Sequence, residues 1–232
     1  MMRLSELRAA GNEELDEMLG RCVRDRNTIF AHFRERYPDA GRLLPSAVVR
    51  DVIRDVCDFR IEERPLPSGQ GGLCDFRNRS VKLNSRPGYL VEKGECKFAW
   101  MRCVLAHELA HIRLHFDEIE EGSYISSHDI SEGFDDARFF QKEHEANIYS
   151  VVFMVPAELL AKCQPATLAR TTLSEAGGSS DELWRLVAEL ARIFGTTREL
   201  MRMALELYGW VDFRPRKKHS RAGALRLLPF SR

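Results

Sequence analysis

One stretch of sequence decides the fold of this chain, KFAWMRCVLAHELAHIRLHF at residues 97–116. It has the strongest helical pattern in the chain. Within it, His107-Glu-Leu-Ala-His111 is an HExxH motif, and residues i and i+4 project from one face of a helix. Two imidazoles at that spacing can hold one Zn²⁺, while Glu108, rotated off their axis, can reach a water molecule as a general base. The stretch therefore predicts a helix that carries a metal site.

A catalytic zinc site usually has three protein ligands and one open position, so the two histidines need a further ligand. The extended motif HExxHxxGxxH would need glycine at position 114 and histidine at position 117, but the chain has Leu114 and Asp117 there. The third ligand is therefore expected from another part of the chain.

The next predicted helix, residues 139–155, contains the sequence EHEAN at positions 143–147. Glu143 and Asn147 lie one turn apart on the same face. Glu143 is therefore the predicted third ligand, and Asn147 is predicted to hydrogen-bond to a ligand histidine without binding the metal itself. Glu145 points about 200° away from Glu143, at about 100° per residue, and is the alternative ligand.

The remaining pattern predicts a mainly helical α+β fold with a small sheet. Further helices are predicted at residues 12–37, 47–57, 181–194 and 197–208, with Asn12 and Ser46 as N-caps of the first two. Strands are predicted at 59–64, 73–76 and 81–84, and the last two are expected to form a hairpin. Residues 117–135 are predicted to form a polar loop, and residues 177–180 a linker.

Composition sets the broad class of the protein. The 232 residues are 44% hydrophobic and 30% charged, which is typical of a globular chain and excludes extensive disorder. The 35 Lys and Arg residues balance 35 Asp and Glu residues, which argues against a generally basic nucleic-acid coat protein. The sequence has no apolar run near the roughly 20 residues of a membrane span and no signal-peptide core. Its six cysteines form no CxxC pair, so we expect a cytoplasmic protein with free thiols.

The two motifs together resemble those of the ImmA/IrrE metallopeptidases. That family has a HELGHxxLH helix followed by a helix of the form E-x-x-A-N-x-F-A-x-x-L-L-M-P, and the similar segments here are 102–115 and 143–156. Tyr149-Ser150 stands where the family has Phe-Ala, and Phe153-Met-Val155 where it has Leu-Leu-Met; both are conservative packing changes. The resemblance covers residues 45–156 and supports Glu143 over Glu145 as the third ligand.

The resemblance implies a zincin-like zinc endopeptidase, over residues 46–160, that cleaves a partner helix-turn-helix repressor. Cleavage would relieve repression after DNA damage or phage-related stress, and some short relatives lie beside antiphage operons of the CBASS type. Some relatives carry a sensory GAF domain, for which this chain is too short. Because the first residues fall outside the family pattern, residues 1–45 are interpreted as a helical extension of unassigned purpose.

The C-terminal part of the chain carries two further predictions. Residues 161–212 include a pair of helices that resembles a helix-turn-helix, with Arg198 and Arg202 on the outer face, or a helical hairpin that only buttresses the rest of the protein. Residues 213–232 form a basic tail with a cluster at 214–221. This tail is interpreted either as a solvated segment or as a contact to DNA, including single-stranded DNA as an activator.

Several secondary candidates complete the analysis. His115 continues the row of His107 and His111 and is interpreted as a structural histidine. Tyr124 and His128 are candidates for oxyanion stabilisation, or face solvent. A thiolate of Cys96, or of Cys74, is a candidate zinc cap that would keep the enzyme silent. Substrate is expected along an edge strand, at residues 73–76 or 81–84.

Two other functional classes compete with the protease. One is a DNA-binding transcriptional regulator whose zinc site is structural or vestigial. The other is a toxin–antitoxin or phage-encoded regulator that acts by binding alone. The general-base candidate Glu108 argues against a structural zinc site, since such a site needs no general base.

Overall fold

The computed structural model describes residues 13–38, 44–67, 70–86, 96–119, 137–163 and 180–211. The predicted cap Asn12, the candidates Tyr124 and His128, most of the predicted loop and linker, and the basic tail lie outside the described residues.

Helices dominate the described part of the chain. In order, the elements are α1 (Glu13–Arg36), α2 (Pro45–Asp51, continued by a π-helical segment Val52–Val56), β1 (Arg60–Arg64), β2 (Gly72–Asp75), β3 (Ser80–Asn84), α3 (Lys97–Ile119), α4 (Ala137–Met154), α5 (Ala157–Lys162), α6 (Ser180–Phe194) and α7 (Arg198–Leu207). The predicted α+β class, mainly helical with a small sheet, is confirmed.

The sheet has three strands in the order β1-β3-β2. The β2–β3 pair is antiparallel, with Cys74 opposite Val81, so the predicted hairpin is confirmed. The β1–β3 pair is parallel, with Arg60 opposite Ser80. The expectation that residues 81–84 form an edge strand is therefore wrong, because β3 pairs on both sides. Of the two strands proposed to bind substrate, only β2 lies at an edge of this sheet.

Helix α3 lies at the centre of the fold. One side packs against β2 and β3, and another side packs along α4. The buried residues of α3 include Leu105, Ala106, Leu109 and Ala110. The Ala106 and Ala110 side chains are small enough to let a neighbouring helix approach closely, and the packing of α3 along α4 brings together two motifs that are far apart in the sequence.

The flanking helices share the same hydrophobic core. Helix α1 packs on α4, and α7 packs on both α4 and α6. Core residues from these helices are Leu15, Cys22, Ile29 and Phe33 of α1, Val187 and Leu190 of α6, and Met201 and Leu205 of α7. The N-terminal helix is thus an integral part of the packing around α4.

The first residues of two helices show where side-chain capping occurs and where it does not. Thr197 caps α7, since its side chain accepts a hydrogen bond from the Leu200 backbone N–H. The prediction that Ser46 caps α2 is wrong: the helix begins at Pro45, and the buried Ser46 hydroxyl instead donates to the Phe194 carbonyl oxygen, 2.6 Å away. The Ser46 hydroxyl is engaged in this long-range hydrogen bond and does not cap the helix.

The outer face of α7 carries internal ion pairs. The Arg202 guanidinium contacts the Glu199 carboxylate at 2.6 Å and the Glu206 carboxylate at 2.7 Å. Two carboxylates beside this arginine disfavour a contact with phosphate.

In the described part of the chain, every helix is too short or too polar to cross a membrane.

Candidate metal centre

Helices α3 and α4 bring His107, His111 and Glu143 into one group. The Nε2 atoms of the two histidines are 3.1 Å apart. The Glu143 carboxylate closes the group, with Oε2 at 3.2 Å from His107 Nε2 and Oε1 at 3.3 Å from His111 Nε2. These three side chains are therefore the group, among the described residues, that could hold a metal ion.

The spacing of the donor atoms fits a small cation. Ligands about 2.1 Å from a tetrahedral metal stand about 3.4 Å from one another, close to the separations seen here. Glu143 Oε1 is buried and makes no hydrogen bond of good geometry within the described residues, although His111 Nε2 lies 3.3 Å away, so it has capacity to bind a cation. Two imidazoles and a carboxylate form a donor set that zinc accepts.

Asn147 orients the first ligand. Its Oδ1 lies 3.2 Å from His107 Nδ1. An amide oxygen can only accept, so Nδ1 carries a hydrogen, and in the neutral imidazole Nε2 is then left with a lone pair for the group. The structure thus places Asn147 where the one-turn spacing from Glu143 predicts it.

His115 stands behind the second ligand. Its Nδ1 lies 3.1 Å from His111 Nδ1, and its Nε2 lies 3.1 Å from Glu145 Oε2. Glu145, the alternative third ligand, therefore faces His115 and is outside the metal group. Sequence reasoning missed this contact, although the second four-residue step, from His111 to His115, was its signal.

The charges of the group favour metal-binding forms of two ligands. Burial lowers the pKa of His111 to about 4, which keeps its imidazole neutral. Burial alone would raise the pKa of Glu143, but the two imidazoles outweigh it and hold that pKa below its usual range. A neutral imidazole and an ionised carboxylate are the forms that bind a cation.

Glu108 lies beside the group and under the sheet. Burial raises the pKa of this carboxyl to about 7; the charge of His107 and the Cys74 backbone N–H oppose the shift, and the charge of Glu143 adds to it. A pKa near neutrality suits a group that takes up and returns a proton. The sequence placed Glu108 on the motif, but only the fold provides this burial.

Gly72 permits the close approach of β2 to α3. A Cβ atom at this position would lie 2.6 Å from Val104 Cγ1 and 2.8 Å from Glu108 Oε1, both inside van der Waals contact. The neighbouring Gly71 is less constrained, since its Cβ would lie 3.1 Å from Val104 Cγ2. Sequence analysis assigned no role to either glycine.

The structure brings neither candidate cysteine into the metal group. Burial raises the pKa of Cys74 well above its usual value, and the charge of Glu108 adds to this, so a thiolate is disfavoured there. Cys96 is exposed and immediately precedes α3. It lies eleven residues before His107, about 16 Å along the helix at about 1.5 Å per residue.

No protein-family model matches the chain, and no curated protein sequence matches it either. The similarity to ImmA/IrrE metallopeptidases therefore rests on the residues of the two motifs.

Proposed function

We propose that this protein is a zinc-dependent endopeptidase that cleaves a partner helix-turn-helix repressor in a response to DNA damage, stress or phage. One observation carries the catalytic part of the proposal: the metal group His107–His111–Glu143 has Glu108 buried directly beside it. A structural metal site has no use for a general base in that position. The repressor as substrate follows from the motif resemblance.

The residues divide the chemistry between them. His107, His111 and Glu143 would hold Zn²⁺, which supplies Lewis-acid polarisation of a peptide carbonyl and lowers the pKa of a water molecule. Glu108 accepts a proton from the attacking water and returns it to the leaving amine. Asn147 keeps the His107 ring in the orientation that this requires.

The edge of β2 that pairs with no strand among the described residues is the proposed substrate platform. This strand passes over α3 at Gly72, where it contacts Glu108. An extended peptide added to the same sheet edge would run next to the general base, with its backbone held by strand-type hydrogen bonds.

The direct test is cleavage. The zinc-loaded protein is incubated with purified helix-turn-helix repressors encoded near its gene, and products are identified by mass spectrometry. We expect one internal cut in one repressor, lost after chelation and restored by zinc. Intact repressors throughout, with zinc bound, would contradict the endopeptidase proposal.

Gly72→Ala should impair catalysis while preserving the metal. The added methyl group must displace Glu108 or lift β2 from α3, so we expect a large loss of cleavage, a zinc content near that of the parent, and about 1–3 kcal/mol lower stability. Gly71→Ala is the matched control and should retain most activity. Equal activity of the Gly72→Ala and Gly71→Ala proteins would show that the close approach is unimportant.

The alternative function is a DNA-binding regulator with a structural or vestigial zinc site. In that case the α6–α7 helix pair would be the DNA-binding unit. The carboxylates around Arg202 weigh against it. Single-stranded DNA as an activator stays a prediction from the basic tail, which lies outside the described residues.

A further inference from the structure

A line of polar side chains runs from the metal group to the protein surface. It begins at His111, continues through His115 and Glu145, and ends at Arg21 of α1, whose guanidinium lies 3.2 Å from Glu145 Oε2. Gln141 also donates to Glu145, at Oε1, over 3.1 Å. The two histidine side chains are buried, with 3% of His111 and 1% of His115 exposed, and the exposed fraction then rises to 12% for Glu145 and 50% for Arg21.

A metal ion bound to His111 determines which ring nitrogens carry hydrogen along this line. If Nε2 of His111 binds a metal, its one hydrogen is on Nδ1, which must donate. The acceptor 3.1 Å away is Nδ1 of His115, which must then lack a hydrogen. The hydrogen of His115 is therefore on Nε2, where Glu145 accepts it. Every member has one consistent role when metal is bound.

We propose that His115 and Glu145 are positioning residues for the metal ligand His111, and that Arg21 of the N-terminal helix holds Glu145 in place. Through His115, the Glu145 carboxylate selects the His111 tautomer that presents Nε2 to the metal and increases its basicity. This inference rests on the metal site of the proposed function and is independent of whether peptide is cleaved.

The two ligand histidines are thus supported unequally. His107 is oriented by the neutral amide of Asn147, whereas His111 is oriented by a buried imidazole backed by a carboxylate. The direct acceptor of His111 is a neutral imidazole nitrogen, and the charged carboxylate of Glu145 strengthens that contact through its own hydrogen bond with His115. The N-terminal helix, outside the motif resemblance, thereby gains a role in metal binding.

A neighbouring cluster offers a matched control. Asp25, one turn after Arg21 on α1, accepts hydrogen bonds from Arg113 at 2.6 Å and from the Tyr149 hydroxyl at 2.6 Å. It ties α1 to both α3 and α4 without touching the line from His111 to Arg21. Asp25→Asn should therefore weaken the same helix packing and leave metal affinity alone.

The experiment measures metal binding in the full chain. Zn²⁺ dissociation constants are obtained by competition with a chromophoric chelator, Co²⁺ absorption spectra report the ligand field, and melting temperatures are recorded without metal. Glu145→Gln and His115→Phe should each weaken Zn²⁺ binding about 10- to 100-fold and shift the Co²⁺ bands. Their double variant should bind no more weakly than His115→Phe alone, because both act along one line. Asp25→Asn should lower the melting temperature with an unchanged dissociation constant and spectrum.

Any other outcome contradicts either the positioning role of His115 and Glu145 or the metal site itself. If Glu145→Gln and His115→Phe melt lower but bind Zn²⁺ and Co²⁺ as the parent does, their role is structural and the inference fails. If Glu145→Gln loses the metal as fully as Glu143→Gln, Glu145 is a ligand and the inference also fails. Absence of metal binding by the parent would refute the metal site itself. If His115→Phe does not fold, the isosteric Glu145→Gln decides alone.

Discussion

Glu108→Gln should leave zinc binding intact and lower the rate of repressor cleavage by about 10²–10⁴-fold. An amide of the same shape fills the site under β2, but it cannot accept the proton of an attacking water. The measurement is the cleavage rate at saturating zinc, together with zinc content. Glu62→Gln, which changes an exposed carboxylate on β1, is the control and should cleave normally.

Undiminished cleavage by the Glu108→Gln protein would refute the proposed mechanism. Loss of both zinc and cleavage would instead show that Glu108 supports the metal group. Zinc content must therefore be measured beside the cleavage rate, because Glu108 is buried and adjacent to the ligand His107.

Loss of a metal ligand should have the largest effect on zinc content. The parent is expected to hold about one zinc per chain, and His107→Ala or Glu143→Gln should lose most of it, because two remaining ligands cannot enclose the ion. Their loss of affinity should exceed the roughly 10–100-fold expected for a residue that supports a ligand, such as Glu145. The measurement is metal content after gel filtration at a fixed free-zinc concentration.

His32→Ala removes an exposed imidazole from α1 and is the control for nonspecific histidine binding. If Glu145→Gln loses zinc and Glu143→Gln retains it, the third ligand has been assigned to the wrong carboxylate.

The cysteine hypothesis of latency loses its geometric basis. Cys74 is buried with a raised pKa, and Cys96 precedes α3, eleven residues before the ligand His107. Control of such an enzyme would then depend on substrate presentation or on segments outside the described residues.

The sequence by itself determined the helices and their chemical faces. HExxH and EHEAN each lie on one helix, and the 3.6-residue period decides which side chains point together within it. That period grouped His107 with His111, grouped Glu143 with Asn147 and turned Glu145 away from the second pair. The two pairs were joined into one site by the need of a catalytic metal for a third ligand and by the motif resemblance.

Only the tertiary structure decided how distant segments meet. Four features join residues that are far apart in the chain. They are the central position of β3 in the sheet, the hydrogen bond from Ser46 to Phe194, the close approach of Gly72 to Glu108, and the line of side chains from His111 to Arg21. No local period encodes such distances, because they depend on how whole elements pack into one core. Burial follows from the same packing, and it places the pKa of Glu108 near neutrality.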